Sequence, residues 1–138
     1  MKRYILFTGL FLFFALSSKA QSKPYNVVFD LTSKDTVDHK MVIRWIKEIL
    51  SSDPQAKLEV VFYAQSLDMI TKGKSIVAGD IESIAKNKNV AFRVCEIAMK
   101  NNKIEKDQLL TGVETVPDGI YEILLKQKDG FAYIKAAR

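Results

Sequence analysis

The chain of 138 residues contains one cysteine, one histidine and three prolines. A single cysteine, Cys95, excludes a disulfide within the chain. A zinc site made of protein ligands would need carboxylates beside Cys95 and His39, and their spacing does not suggest one, so we predict no metal. No patch interleaves basic with aromatic residues, which argues against nucleic acid as a partner.

The chain also lacks an apolar run of the length that spans a membrane, which is about 20 residues. The longest such run, residues 4–16, follows two basic residues and precedes small residues at 17–20, the order of a secretory signal peptide. We predict a signal peptide over residues 1–20 and a secreted, periplasmic protein with no membrane contact after cleavage. Cleavage lowers the 21 basic residues to 18 against 16 acidic ones, so the mature protein is only weakly basic.

Residues 21–138 are predicted to form one domain in which strands alternate with helices. Short apolar runs predict five strands, at 26–31, 58–64, 90–95, 112–116 and 131–135. Helical periodicity predicts segments at 35–50, 65–72, 80–88, 96–101, 106–110 and 118–127. The alternation and the absence of hairpin signals predict an α/β fold. Its architecture is three-layered, α/β/α, with a five-stranded, mainly parallel sheet wound in the flavodoxin manner.

Cys95 ends a predicted strand and precedes a predicted helix. In parallel α/β proteins, chemistry collects outside the carboxyl ends of the strands. The positive end of the next helix also stabilises a thiolate, the nucleophilic form of cysteine. Cys95 is therefore the candidate catalytic residue. An inert Cys95 is the alternative, because free cysteine often serves as a small hydrophobic core residue.

Polar and small residues at the same predicted edge are the candidate binding residues. They lie at the end of the first strand or just after the next three strands, and are Asp30, Gln65, Ser66, Glu96, Pro117, Asp118 and Gly119. We expect them to line a small pocket, although ordinary loops and helix caps would also explain each one. Glu96 would oppose a thiolate on Cys95 if its charge points at the sulfur.

Two further features, the run at residues 73–75 and the single histidine, are interpreted as structural and not as functional. The run Gly73-Lys74-Ser75 lacks the glycine that a phosphate-binding loop needs five positions earlier, where Asp68 stands. We therefore predict a surface turn and no nucleotide or other cofactor. His39 is expected on the solvated side of the first helix, because one histidine alone is a weak catalytic signal.

Five stretches of the chain, in this order and spacing, resemble the DsrE/DsrF-like family. They are 53–61 (DPQAKLEVV), 92–96 (FRVCE), 109–113 (LLTGV), 116–123 (VPDGIYEI) and 130–135 (GFAYIK). The resemblance spans nearly the whole predicted mature chain. It implies a compact α/β/α domain with a five-stranded, mainly parallel sheet, often assembled as trimers or hexamers.

The resemblance also implies a chemistry, since some family members carry sulfur as a persulfide on a cysteine that Cys95 matches. We therefore expect an exported homo-oligomer that accepts and transfers sulfane sulfur on Cys95. Its partners would be small sulfur species or a thiol-bearing protein. One alternative is a non-catalytic binding or assembly module with a structural Cys95. Another is a redox partner that forms a transient intermolecular disulfide through Cys95.

Overall fold

The computed structural model describes residues 24–137, so the predicted signal peptide lies outside the described residues. The strands are β1 (Asn26–Leu31), β2 (Lys57–Phe62), β3 (Val90–Cys95), β4 (Val113–Val116) and β5 (Ala132–Lys135). The α-helices are α1 (Thr36–Ser52), α2 (Ala78–Ile84), α3 (Glu96–Asn101) and α4 (Gly119–Lys128), with 3-10 turns at Ser66–Ile70 and Lys106–Gln108. Within the described range, no helix combines the length and apolar character needed to cross a membrane.

The five strands form one sheet in the order β4-β3-β2-β1-β5, and every pairing is parallel. This confirms the predicted α/β fold with a five-stranded parallel sheet. The chain steps outward from β1 to β4, and α4 then carries it back so that β5 pairs with the free side of β1. Because crossovers between parallel strands are right-handed, this reversal places α4 on the opposite face from α1 to α3.

The face that carries α1, α2 and α3 holds most of the core. Its apolar cluster comprises 26 buried residues of the described chain. Helix α1 begins where the Asp35 carboxylate accepts a hydrogen bond from the Val37 N–H at 2.8 Å. Its buried stripe includes Val42, Ile46 and Ile49, which recur at helical spacing and pack on the strands.

Helix α4 is the one described α-helix on the opposite face. Its buried apolar cluster is small and consists of Val28, Val61 and Ile123. Two acidic residues of the strands, Asp30 and Glu59, are also buried on this face, at 4% and 3% exposure. The second face therefore combines a thin apolar layer with buried charge.

Several local predictions need correction. The segment predicted as a helix over 65–72 is a 3-10 turn, and β2 ends at Phe62 because Ala64 turns the chain with a φ of 54°. His39, predicted to be solvated, is buried, and its Nε2 donates to the Ser33 carbonyl oxygen at 2.9 Å. The reason is its spacing: His39 lies three and seven residues before Val42 and Ile46, on the stripe of α1 that faces the sheet.

Candidate functional site

Cys95 lies where β3 ends and α3 begins. It has an extended backbone, with φ −69° and ψ 121°, and occupies the N-cap position of α3. The residue is 6% exposed and packs with the larger apolar cluster. A Cβ atom on Gly119, the first residue of α4, would lie 3.0 Å from the Cβ of Cys95 and 3.7 Å from its Sγ. Two helices therefore begin beside this thiol.

The topology explains this position. The chain leaves β3 into α3 on one face of the sheet and leaves β4 into α4 on the other. A crevice forms where neighbouring parallel strands send their connections to opposite faces, and ligands of α/β proteins bind there. Cys95 pairs in register with Val116, the last residue of β4. Cys95 thus lies at the topological switch point between the carboxyl ends of β3 and β4.

The predicted residues after β4 divide into different roles. Gly119 is buried against Cys95, as described above, while Pro117 is exposed. The Asp118 carboxylate caps α4 by accepting hydrogen bonds from the N–H groups of Ile120, at 2.9 Å, and Tyr121, at 3.2 Å. This geometry gives Asp118 a structural function and makes Gly119 the close neighbour of the thiol.

Glu96 follows Cys95, but its carboxylate is held by other groups. The Thr115 hydroxyl donates to Oε1 at 2.7 Å, and the Lys106 ammonium lies 3.2 Å from the same oxygen. The hydrogen bond from Thr115 is the main reason that the pKa of Glu96 is lowered, and Lys106 adds to the effect. The negative charge of Glu96 is therefore already engaged by two partners.

The two residues predicted from the loop after β2 serve the loop itself. Ser66 is fully buried, and its hydroxyl donates to the Tyr63 carbonyl oxygen at 2.9 Å. Gln65 is exposed. Neither residue has a contact with Cys95 among the described interactions. The backbone N–H of Gln65 donates to the Thr32 carbonyl oxygen at 3.2 Å.

Asp30 lies at the centre of a polar network between β1 and β5. Its Oδ2 accepts hydrogen bonds from the Tyr133 hydroxyl at 2.5 Å and from the Lys135 ammonium at 3.2 Å. Lys135 also donates to the Thr32 hydroxyl at 2.9 Å. The other carboxylate oxygen of Asp30, Oδ1, is buried and has no hydrogen-bond partner among the described residues.

Tyr63 connects this network with the thiol. Phe62 and Val94 are paired in register, so the residues that follow them, Tyr63 and Cys95, are neighbours across β2 and β3. Burial raises the pKa of Tyr63 well above its usual range, and the Asp30 carboxylate adds to the rise, with a smaller contribution from Cys95. The hydrogen bond to Asp30, followed by burial, raises the pKa of Tyr133 to about 12. Both hydroxyls therefore stay protonated at neutral pH.

A cavity of about 510 Å³ opens between α4 and the carboxyl ends of β1 and β2. Its described lining residues are Asp30, Tyr63, Asp118, Ile120, Tyr121, Ile123, Leu124, Gln127 and Tyr133. Cys95 is not one of them, but Asp118 and Ile120 flank Gly119, which touches it. Asp30 and Asp118 were predicted from the sequence as binding residues. The tyrosines were not, because the proximity of the tyrosines to Asp30 depends on strand order.

A second buried carboxylate, Glu59, lies farther along the same face. Its Oε2 is 3.2 Å from the Lys126 ammonium, which is 3.8 Å from Glu122, and its Oε1 has no described partner. Burial and the neighbouring Glu122 raise the pKa of Glu59 to about 7, although Lys126 opposes the rise. No group of three or more potential metal-ligating side chains occurs in the described chain.

The model of the DsrE/DsrF-like family matches residues 12–136. The chain belongs to the DsrE/DsrF-like family. Comparison with curated proteins finds no match. Among solved structures, this DsrE/DsrF-like protein is similar to MTH1491 of Methanobacterium thermoautotrophicum, a protein of unknown function. The two share 26% identity with a TM-score of 0.75, over 80% of this chain and 98% of that one.

The ychN protein of E. coli has the same fold. It shares 11% identity and a TM-score of 0.66 with this DsrE/DsrF-like protein, over 81% of this chain and 98% of that one. At this identity the likeness concerns the fold alone. Family membership thus rests on the family model, and the fold is shared with these two solved structures.

Proposed function

We propose that this DsrE/DsrF-like protein accepts sulfane sulfur on Cys95 and passes it to an acceptor thiol. The observation that supports this most is the position of Cys95, at the topological switch point between β3 and β4 and beside the first residues of α3 and α4. Helix N-termini carry partial positive charge that stabilises a nearby thiolate. Glu96, the nearest acidic residue in sequence, is engaged by Thr115 and Lys106.

The proposed transfer is balanced without an external oxidant. The Cys95 thiolate attacks the outer sulfur of an organic persulfide, R–S–SH, and a new S–S bond forms at Sγ. The S–S bond of the donor breaks, and its electron pair and the proton leave with the thiol R–SH. An acceptor thiolate then attacks the outer sulfur of the Cys95 persulfide. The S–S bond at Sγ breaks, and Cys95 is released as a thiolate.

We also propose that the protein acts as an exported, periplasmic homo-oligomer, a trimer or hexamer. The composition of residues 1–20 supports export. Large apolar side chains that are exposed outside the face of α4, namely Val37, Ile76 and Ile97, support assembly. A small sulfur species or a thiol-bearing protein would supply and collect the sulfur.

The test compares Cys95 with a cysteine placed elsewhere on the same protein. Cys95→Ser is combined with Ser51→Cys, which places a cysteine on the exposed end of α1. Wild type and double variant are treated with glutathione persulfide, and the gain of about 32 Da per sulfur atom is followed by mass spectrometry. Because the two thiols differ in exposure, each loading rate is divided by the rate of labelling with iodoacetamide.

We expect this ratio to be at least about tenfold higher for Cys95. Thiolate stabilisation raises both rates and cancels in the ratio, so the excess would measure how far the site favours the persulfide over a general alkylating reagent. Bound sulfur should then pass to an added acceptor thiol. Equal ratios for the two thiols would contradict the proposal, because the site would then show no preference for the persulfide over iodoacetamide.

A non-catalytic binding or assembly module is the second candidate, and the 6% exposure of Cys95 favours it. In that case Cys95 reacts with iodoacetamide only after unfolding in urea, and no sulfur loads onto the native protein.

A redox partner would instead give an intermolecular disulfide, which non-reducing gels reveal as a band that disappears with dithiothreitol.

A further inference from the structure

We propose that the cavity beside α4 binds the organic group of the sulfur donor or acceptor, and that this group is uncharged and apolar. The link to sulfur rests on the function proposed above, whereas the binding site itself stands on the geometry of the cavity. The ligand class is a thiol or persulfide that carries an aryl or branched alkyl group.

The walls of the cavity favour such a group. Apolar side chains of α4 line one side, and tyrosine rings line the other. Three of these side chains are exposed although they are large and apolar: Ile120 at 65%, Tyr121 at 54% and Leu124 at 44%. The volume of about 510 Å³ falls within the range of about 300–1,000 Å³ that small-ligand sites occupy.

Asp30 gives the cavity a polar anchor. The Asp30 side chain is 6% exposed. Its Oδ1 has no hydrogen-bond partner in the described chain, and the Tyr63 hydroxyl is the neighbouring group that interacts with this carboxylate. A buried acceptor without a partner is unfavourable. Because Oδ1 is screened from solvent, a ligand S–H, O–H or N–H has to displace a lining side chain to donate to it, and that hydrogen bond would remove the penalty. Oδ2 already accepts from Tyr133 and Lys135, so these two side chains hold the carboxylate in place.

The charge of the cavity argues against anionic ligands. Of its described lining residues, the charged ones are Asp30 and Asp118, and both are acidic. The ammonium of Lys135 is directed to Asp30 and Thr32. An anionic sulfur species would therefore meet two carboxylates without a cation of the lining to pair with.

The position of the cavity connects it with the thiol. Asp118 and Ile120 line the cavity, and Gly119 between them approaches Cys95. Tyr63, on the other side, lines the cavity and neighbours Cys95 across the strands. Gly119 and Tyr63 are therefore the residues between a group held in the cavity and Cys95.

The first experiment measures binding in purified Cys95→Ser protein, where no sulfur chemistry can occur. The probes are benzyl mercaptan and 4-(mercaptomethyl)benzoate, which differ by one carboxylate, and the readout is the NMR shift of tyrosine rings and isoleucine and leucine methyl groups. We expect saturable binding of benzyl mercaptan that is at least tenfold tighter than that of the benzoate. Added Leu124→Ser should weaken it at least fivefold. Ile97→Ser, which removes an equally exposed apolar side chain from α3, should leave it unchanged.

Equal affinities for the two probes, or equal losses in the two variants, would overturn the assignment. An absence of binding would also overturn it, and self-association that Leu124→Ser abolishes would then show that a second copy covers the cavity. The second experiment compares loading of wild-type Cys95 by the benzyl and 4-carboxybenzyl persulfides, with at least a tenfold preference for the first expected. Equal loading by both overturns this inference and leaves the sulfur-carrier function standing. Probe binding without any loading supports the cavity and contradicts that function.

Discussion

The two faces of the sheet are built differently. One is covered by α1, α2 and α3 over a cluster of 26 buried apolar residues, and the other by α4 over a cluster of three. The thinner face holds the buried carboxylates Asp30 and Glu59, the cavity beside α4 and the contact between Gly119 and Cys95. Apolar burial supplies most of the free energy of folding, so the well-covered face stabilises the domain. The other face can hold costly buried charge because that stability is already present.

The largest expected effect is a difference between the two faces in how much a substitution lowers the free energy of unfolding. Ile46→Ala, on the stripe of α1 with 0% exposure, should lower the free energy of unfolding by about 2–5 kcal/mol, since it leaves a cavity in the core. Ile120→Ala, on the exposed side of α4, should change it by less than about 0.5 kcal/mol. Urea unfolding of both variants at neutral pH is the measurement. Similar losses for the two would show that both faces support the fold equally.

Gly119→Ala should break the contact between the thinner face and the thiol. Its new Cβ would lie 3.0 Å from the Cβ of Cys95 and 3.2 Å from Val61 Cγ1. Both neighbours are buried, so we expect a loss of about 1–3 kcal/mol from overpacking. Gly79→Ala in α2 is the matched control, because no described heavy atom outside its local helix lies within 4 Å of the added Cβ. It should stabilise the protein by about 0.5 kcal/mol, and a loss in both variants would argue against the close contact.

Glu59 should make the thinner face sensitive to pH. Its pKa rises from 4.5 to about 7 on folding. Between these values the folded protein keeps a proton that the unfolded chain has lost, so stability falls as pH rises through this window. Relative to Glu59→Gln, the wild type should lose about 1–2 kcal/mol between pH 5 and pH 8, as measured by urea unfolding. Glu48→Gln, on the exposed surface of α1, should follow the wild type. A constant difference between wild type and Glu59→Gln would refute the proposed burial of this charge.

The smallest expected effect concerns Ala64, which turns the chain between Tyr63 and the 3-10 segment. Its φ of 54° is unfavourable for alanine, at a cost of about 1–2 kcal/mol, and glycine relieves this strain while adding chain entropy to the unfolded state. Ala64→Gly should therefore stabilise the protein by about 0.5 kcal/mol. Ala85→Gly, at a residue with φ −61°, should destabilise it by about 0.5–1 kcal/mol. The same sign for both variants, from thermal or urea unfolding, would exclude strain at Ala64.

Local sequence patterns predicted much of the fold. The bounds of β1, β3 and α3 agree with the prediction, since apolar runs and helical spacing are local properties. The prediction was wrong where tertiary structure overrides local preference. Ala64 is forced into a left-handed conformation that ends β2 early, and His39 is buried because α1 turns that side of the helix toward the sheet.

The candidate site was predictable only in part. The position of Cys95 at a strand end could be read from the sequence, and the approach of Gly119 needed the crossover of α4. The network around Asp30 was not predictable, since Tyr133 and Lys135 lie more than a hundred residues away along the chain. These residues become neighbours because β5 pairs with β1, and no local pattern encodes that pairing.

The sequence by itself determined the alternation of strands and helices, the parallel sheet and the single thiol at the carboxyl end of β3, because each depends on spacing along the chain. Only the tertiary structure decided that α4 lies on the opposite face of the sheet from the other described α-helices. It also decided that the first residue of α4 meets Cys95 and that Asp30 and Glu59 are buried beneath this helix. The physical reason is that burial and electrostatic surroundings depend on strand order and on the handedness of the crossovers, which bring distant residues together.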